Sequence, residues 1–236
     1  MTIENKYKNG LDFYEVEKIV SSNNKKVYLI GDLIRVGYQE YTKKALEDVA
    51  QVCWPNMLVD NVQSTVVRFG YWMTALENTE DISVVVFNSG RSDCTHYQAL
   101  WDYDKACYYT KEGWEDIEDV LNDESVYSEM LVRTYEKIKR FLPKAKIIFA
   151  TTTPMNPNGD VGPNPCYDED VQRYNEIAKS VLTPLGCEIL DHYEFCKNFT
   201  EKDYINHFEL TSSAYEKLGI RFYSLFFYTG VNIIRL

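Results

Sequence analysis

The apolar run Val27-Tyr28-Leu29-Ile30 delivers the chain into Gly31-Asp32-Leu33, a turn at the end of a buried strand where an enzyme would place a nucleophile. Leu33 occupies that turn, and its hydrocarbon side chain has no lone pair to donate and no proton to lose, so no neighbouring base can activate it. Acyl transfer by a Ser-His-Asp site needs a hydroxyl, an imidazole within hydrogen-bond reach and a carboxylate that fixes the imidazole's tautomer. The chain has 3 histidines, so the search for a base is short. His96 follows the second long apolar run, His192 follows Asp191, and His207 stands just before Glu209. Each reads either as a packed or surface histidine or as a base. His207, with Asp203 behind it, is the foremost candidate base. A nucleophile for it would have to come from Ser64, Ser89, Ser92 or Cys94, none of which sits on the expected turn.

The elements that must position these residues are legible as period changes. Short β-rich runs at Val27–Ile30, Ile82–Phe87, Ile147–Ala150 and Glu188–Leu190, with a weaker one at Met57–Val59, alternate with segments of helical period. The helical segments are Tyr41–Cys53, Ser64–Glu77, Ser125–Leu142, Asp168–Leu182 and Ser212–Phe227. Alternation of this kind predicts a three-layer α/β/α fold around a mostly parallel, five-stranded sheet, in one domain over residues 1–236. Asp168 reads as a helix N-cap, and Pro143 stops the helix before it. The segment Pro154–Pro165 is dense in Pro, Gly and Asn and cannot form a regular element. It follows a strand's carboxyl end, where ligand loops of open α/β sheets lie.

Bulk properties narrow the partners. The 236 residues carry 25 basic and 36 acidic side chains, a formal charge of −11, and nothing longer than a Lys-Lys pair (Lys25-Lys26, Lys43-Lys44) concentrates positive charge. That field disfavours nucleic acid. The polar Met1–Lys8 lacks the apolar stretch of a signal peptide, and no run approaches membrane-span length, so the expectation is a cytoplasmic protein without membrane association. The 6 cysteines, Cys53, Cys94, Cys107, Cys166, Cys187 and Cys196, contain no Cys-x-x-Cys pair and no histidine at zinc-ligand spacing, which reads as reduced thiols and as no metal or cofactor. The aromatic segment Tyr97–Trp114, with Trp101, Tyr103, Tyr108 and Tyr109, reads either as a lid for sugar rings or as core, and the acidic stretch Glu115–Glu124 as a solvated helix face. Asn198-Phe199-Thr200 matches a glycosylation acceptor by accident.

From Lys26 to Gly219 the chain resembles the SGNH (GDSL-type) hydrolases block by block. Gly31-Asp32-Leu33 corresponds to their Gly-Asp-Ser, with Leu33 in place of the serine. In Val59-Asp60-Asn61-Val62-Gln63-Ser64-Thr65, Gln63 stands where the family has an oxyanion-hole glycine. Asn88-Ser89-Gly90-Arg91-Ser92-Asp93 resembles the block that ends in Asn-Asp or His-Asp, with Ser92 at the oxyanion position. Ile147–Pro154 resembles the Thr-rich strand exit of the family's carbohydrate-active branches. The last block aligns on Leu210-Thr211, Tyr215 and Leu218-Gly219, which places Asn206 at the orienting aspartate and Glu209 at the histidine.

The resemblance implies a flavodoxin-like SGNH domain whose serine, base and orienting acid are all replaced. The expected function is non-catalytic binding of a carbohydrate or acylated sugar. The alternatives are an active carbohydrate esterase using non-standard residues, and a scaffold subunit that binds a protein partner. Expected at the pocket are Asp32, Arg35, Gln63, Asn88, Gly90, Arg91, Ser92 and His207, several of which read equally well as turn holders. Arg91 and Glu209 are expected to face a shared cavity, charged and paired with each other or with a polar ligand.

Overall fold

Alternation within the apolar runs sorts their side chains onto two faces of a sheet, and helices cover both. In the computed structural model, β1 (Lys26–Ile30), β2 (Gln51–Cys53), β3 (Ile82–Phe87), β4 (Lys146–Ala150) and β5 (Glu188–Leu190) pair in parallel in the order β2-β1-β3-β4-β5. Residues 7–8, 11–12, 25–57, 59, 61–76, 78–97, 99–102, 105–109 and 120–228 are described. Tyr28, Ile30, Val85, Phe87, Ile147 and Phe149 point into one core, and Val27, Leu29, Val84, Val86, Ile148 and Ala150 into the other. Successive strand side chains point to opposite faces, so one run feeds both cores.

Helices α1 (Leu33–Ala45) and α6 (Ser212–Tyr228) cover the second core with Ile34, Tyr38, Leu218 and Phe222. Helices α2 (Val62–Ala75), α3 (Glu124–Phe141) and α4 (Asp168–Leu182) cover the first with Phe69, Trp72, Tyr127, Leu131, Val171 and Tyr174. A short helix, α5 (His192–Cys196), follows β5. Two glycines let α1 and α6 approach: a Cβ on Gly37 would lie 2.2 Å from the Tyr215 ring, and one on Gly219 2.5 Å from Tyr41. Each Leu, Phe or Val fully buried in these cores contributes roughly 1.5–3 kcal/mol relative to leaving it exposed.

The structure corrects several boundaries. The helix expected over Tyr41–Cys53 is α1, which starts at Leu33 and ends at Ala45; the Asp32 carboxylate caps it by accepting from Ile34 N. The second strand is Gln51–Cys53, not Met57–Val59. Three residues carry too little period to be told from the end of a helix. Helix α2 starts at Val62 because Asn61 Oδ1 accepts from Ser64 N, and its C-cap is Leu76. Asp168 is not the cap of α4. Tyr167 holds that position without a side-chain bond, while the Asp168 carboxylate accepts from Met155 N, Gln172 and Tyr193.

In the aromatic segment, Leu100–Asp102 pairs antiparallel with Cys107–Tyr109. Tyr103, Trp114 and positions 115–119 of the acidic stretch lie outside the described residues. All six cysteines are free thiols, with Cys107 exposed and the others buried. No helix among the described residues is long and apolar enough to cross a membrane.

Candidate functional site

The exits of β1 and β3 are stitched together by buried polar groups. Asn88, directly after β3, donates from Nδ2 to Asp32 Oδ1 at 2.8 Å, the same oxygen that caps α1. Gly31 is required between them, since a Cβ there would stand 1.7 Å from Asn88 Oδ1. The Asn88 N–H also donates to the carbonyl of Ile30, which extends the β1–β3 pairing to the turn itself. Leu33, the first residue of α1, is half-buried on this turn.

A second stitch ties β3 to α2. Asp93 Oδ1 accepts from Val62 N at 3.1 Å and from Asn122 Nδ2 at 2.7 Å, and Asn122 Oδ1 in turn accepts from Gln63 Nε2 at 2.8 Å. Burial, only partly offset by these hydrogen bonds, raises the Asp93 carboxyl from the ordinary 3.8 to about 6. Gly90 sits at φ +140° with Thr152 Oγ1 2.7 Å from where a Cβ would be, so only glycine fits. Gln63 is exposed and its amide is committed to Asn122, so its side chain serves the stitch.

Around these stitches lie Asp32 Oδ2, Asn88 Oδ1, Ser89 Oγ, Arg91 Nε and Asp93 Oδ2, all buried and without a hydrogen-bond partner among the described residues. Buried polar atoms are nearly always partnered, because leaving one unsatisfied costs roughly 1–3 kcal/mol. A concentration of them at one sheet edge marks a place with capacity for water or ligand.

The last block closes the site differently from expectation. The Arg91 guanidinium lies over the Phe208 ring, 4.7 Å from its centroid, and donates to Ser92 Oγ at 3.2 Å. Glu209 Oε2 accepts instead from Asn206 Nδ2 at 3.1 Å, so the expected Arg91–Glu209 pair does not form. Asn206 Oδ1 also accepts from Phe208 N and Glu209 N, which makes Asn206 the organiser of a tight turn. Tyr215 joins the cluster unannounced by the sequence, where it served only as an alignment anchor. Burial pushes its phenol up to about 12, a backbone hydrogen bond at Leu210 opposes this, the Glu209 and Asp32 carboxylates add to it, and the Arg91 charge opposes it. Asn122 was also missed, since it lies in a loop with no motif of its own.

Arg35 is buried, but its guanidinium holds the turn: it donates to the carbonyls of Met57 at 2.8 Å and Gly31 at 3.3 Å, and to Gln39. Among the described residues no histidine hydrogen-bonds a hydroxyl or thiol. His207 Nδ1 lies 3.0 Å from the Asn156 carbonyl and Nε2 2.8 Å from the Cys166 carbonyl. Both ring nitrogens thus face backbone carbonyls, a geometry that ties two loops together and aims neither nitrogen at a hydroxyl or thiol. His192 is fully buried, accepts from Arg221 at Nδ1, and has a pKa lowered to about 3 by burial first and by the Arg221 charge second. His96 Nε2 meets Asp170 at 2.9 Å beside α4. No group of three or more His, Cys, Asp or Glu among the described residues is placed to hold a metal ion.

A cavity of about 670 Å³ lies further along the same edge, between the loop after β4 and the segment after β5. Met155, Tyr193, Cys196, Phe199 and Tyr204 are among the residues that line it. Its polar walls are bonded to one another: Tyr193 Oη donates to Asp168 at 2.6 Å, Tyr204 Oη to the Pro154 carbonyl at 3.2 Å, and Asn158 to Glu201.

Solved structures of similar architecture include lipases, acylhydrolases and carbohydrate esterases. The chain aligns with a lipase/acylhydrolase from Enterococcus faecalis at 17% identity over 86% of this chain and 95% of that one, TM-score 0.59. It aligns with a GDSL-like lipase from Bacteroides thetaiotaomicron at 12% identity over 86% and 87%, TM-score 0.59. A carbohydrate acetylesterase from Sinorhizobium meliloti aligns at 10% identity over 85% and 97%, TM-score 0.60. No protein-family model and no curated protein matches the sequence. The fold is therefore that of the SGNH (GDSL-type) hydrolases, and the conclusion rests on structure rather than on sequence similarity.

Proposed function

We propose that this protein uses the SGNH-hydrolase fold to bind, without hydrolysing, a polyhydroxylated ligand of the carbohydrate or acylated-sugar class. The observation that carries this reading is the turn after β1. It offers the hydrocarbon of Leu33, while at the same sheet edge the buried atoms Asp32 Oδ2, Asn88 Oδ1, Ser89 Oγ, Arg91 Nε and Asp93 Oδ2 have no partner among the described residues. The carboxylate and amide oxygens accept, Arg91 Nε donates and Ser89 Oγ does both, a mixture that suits hydroxyls, which do both as well. That no imidazole among the described residues is bonded to a hydroxyl or thiol supports the non-hydrolytic reading. The carbohydrate acetylesterase among the structural neighbours supports the ligand class by analogy of fold.

Two measurements test this reading. Turnover of a chromogenic acetyl ester by the protein is expected to equal that of Leu33→Ala; turnover abolished by a hydroxyl-directed fluorophosphonate would overturn the reading. Calorimetric titration with acetylated and plain xylo- and chito-oligosaccharides is expected to give binding that Ser89→Ala weakens. Absence of binding to all of them removes the ligand class. Leu33→Ser alone is expected to restore no hydrolysis, because triad members act as a unit. With Asn206→Asp and Glu209→His added, a low rate on an activated ester is expected, since losing one oxyanion donor costs roughly 10²- to 10³-fold. Robust hydrolysis by Leu33→Ser alone would reveal a base already in place and an esterase disabled at one position.

A further inference from the structure

Two cysteines far apart in sequence meet behind the candidate site. Cys94 Sγ and Cys166 Sγ lie 3.6 Å apart, both buried, and both sulfurs point at the carbonyl of Arg91, at 3.5 and 3.6 Å. Cys94 sits on the turn after β3 that carries Arg91 and Ser92. Cys166 ends the Pro/Gly/Asn-rich loop after β4, and its own carbonyl faces His207 Nε2. The pair therefore joins the turn bearing Arg91 to the loop that His207 anchors. A disulfide needs the sulfurs to close to about 2.05 Å, a displacement of the order of one bond length that two loop-borne side chains can make.

We propose that Cys94 and Cys166 form a redox-active dithiol that hydrogen peroxide oxidises to a disulfide, fastening the loop at 154–166 to the turn bearing Arg91. In the first step the Cys166 sulfur attacks one peroxide oxygen; the O–O bond breaks, the other oxygen leaves as water with the thiol's proton, and Cys166 becomes a sulfenic acid. In the second step the Cys94 sulfur attacks the Cys166 sulfur; the S–O bond breaks and the hydroxyl leaves as a second water with the Cys94 proton. Two thiols and one peroxide give one disulfide and two waters, with two electrons passing from sulfur to oxygen. The order of attack follows from the surroundings. The hydrogen bond from Cys94 first, and the Arg91 charge second, hold the Cys166 thiol below its ordinary range against the opposing effect of burial. The same contact and burial push Cys94 well above it.

The test uses the full chain titrated with hydrogen peroxide, quenched by alkylation under denaturing conditions and mapped by mass spectrometry without reduction. Exposed Cys107 serves as the internal control for peroxide exposure. The expected result is a cross-linked Cys94–Cys166 peptide that dithiothreitol reverses, together with a rise in melting temperature that the Cys94→Ser and Cys166→Ser variants lack. Cys94→Ser should instead trap sulfenic acid at Cys166, detectable by a dimedone adduct. The proposal is overturned if both cysteines remain alkylatable at peroxide doses that fully oxidise Cys107, or if Cys166 passes to sulfinic acid in the unmutated protein without a cross-link.

Discussion

At the exits of β1 and β3, Asp32 Oδ2, Asn88 Oδ1, Ser89 Oγ, Arg91 Nε and Asp93 Oδ2 are buried without partners among the described residues. At the exits of β4 and β5, Tyr193 is bonded to Asp168, Asn158 to Glu201 and Tyr204 to the Pro154 carbonyl around a cavity of about 670 Å³. One region has unmatched hydrogen-bonding capacity, and the other has volume with its polar groups already matched. Polar recognition depends on groups that gain partners when the ligand arrives, so the first region suits a hydroxyl-rich ligand better than the roomier second one. His207 stands between the two, tying the Asn156 carbonyl on the cavity side to the Cys166 carbonyl on the Arg91 side.

The largest expected effect on this contrast comes from Gly31→Ala. The new methyl would stand 1.7 Å from Asn88 Oδ1, so the Asn88–Asp32 bond or the turn itself must give way. A loss of at least about 3 kcal/mol in urea unfolding is expected, in line with overpacking plus a broken buried polar contact. Stability within about 0.5 kcal/mol of the parent would mean that the first region is loosely built.

His207→Ala follows, with an expected loss of about 2–4 kcal/mol from deserted buried carbonyls and a side-chain-sized void. It should loosen both regions, since it removes the tie between them. Faster amide exchange in the loop at 154–166 than in α2 would verify this.

Asp93→Asn carries the opposite sign. The folded-state pKa of Asp93 is raised to about 6, so between pH 4 and 6 the native protein keeps a proton that the unfolded chain releases, and stability falls as pH rises through that window. Asparagine removes the buried charge and should stabilise the protein by up to about 3 kcal/mol at pH 7. The gain should fade as the pH falls through that window and vanish only below the ordinary 3.8, where Asp93 is protonated in both states. A pH-independent difference between variant and parent melting curves would show that burial of the carboxylate is not the cause.

The smallest effect is expected in the second region. Tyr193→Phe deletes one bond to Asp168, whose carboxylate retains Met155 N and Gln172. A loss of about 1 kcal/mol is expected by thermal denaturation. A larger loss, rivalling that of Gly31→Ala, would mean that the cavity wall supports more of the fold than its hydrogen bonds indicate.

The sequence by itself determined the sheet, because buried strands announce themselves by continuous apolar runs and their alternation assigns each side chain to a core. It also determined what the turn after β1 lacks, since Leu33 cannot be a nucleophile in any geometry. Three-residue β2 and the start of α1 escaped it, as short elements carry no period; Asp32 reads as a turn holder in the sequence, and its bond from Ile34 N fixes it as the cap of α1. The partners of the polar residues were decided by tertiary structure alone. Arg35 turned out to hold backbone carbonyls, Arg91 to stack on Phe208 rather than meet Glu209, and His207 to bridge two loops. Side chains such as these have several possible partners within reach of the chain. Which one each takes depends on where distant loops are brought by packing of the cores, and hydrogen bonds act over too short a range to be read from residue order.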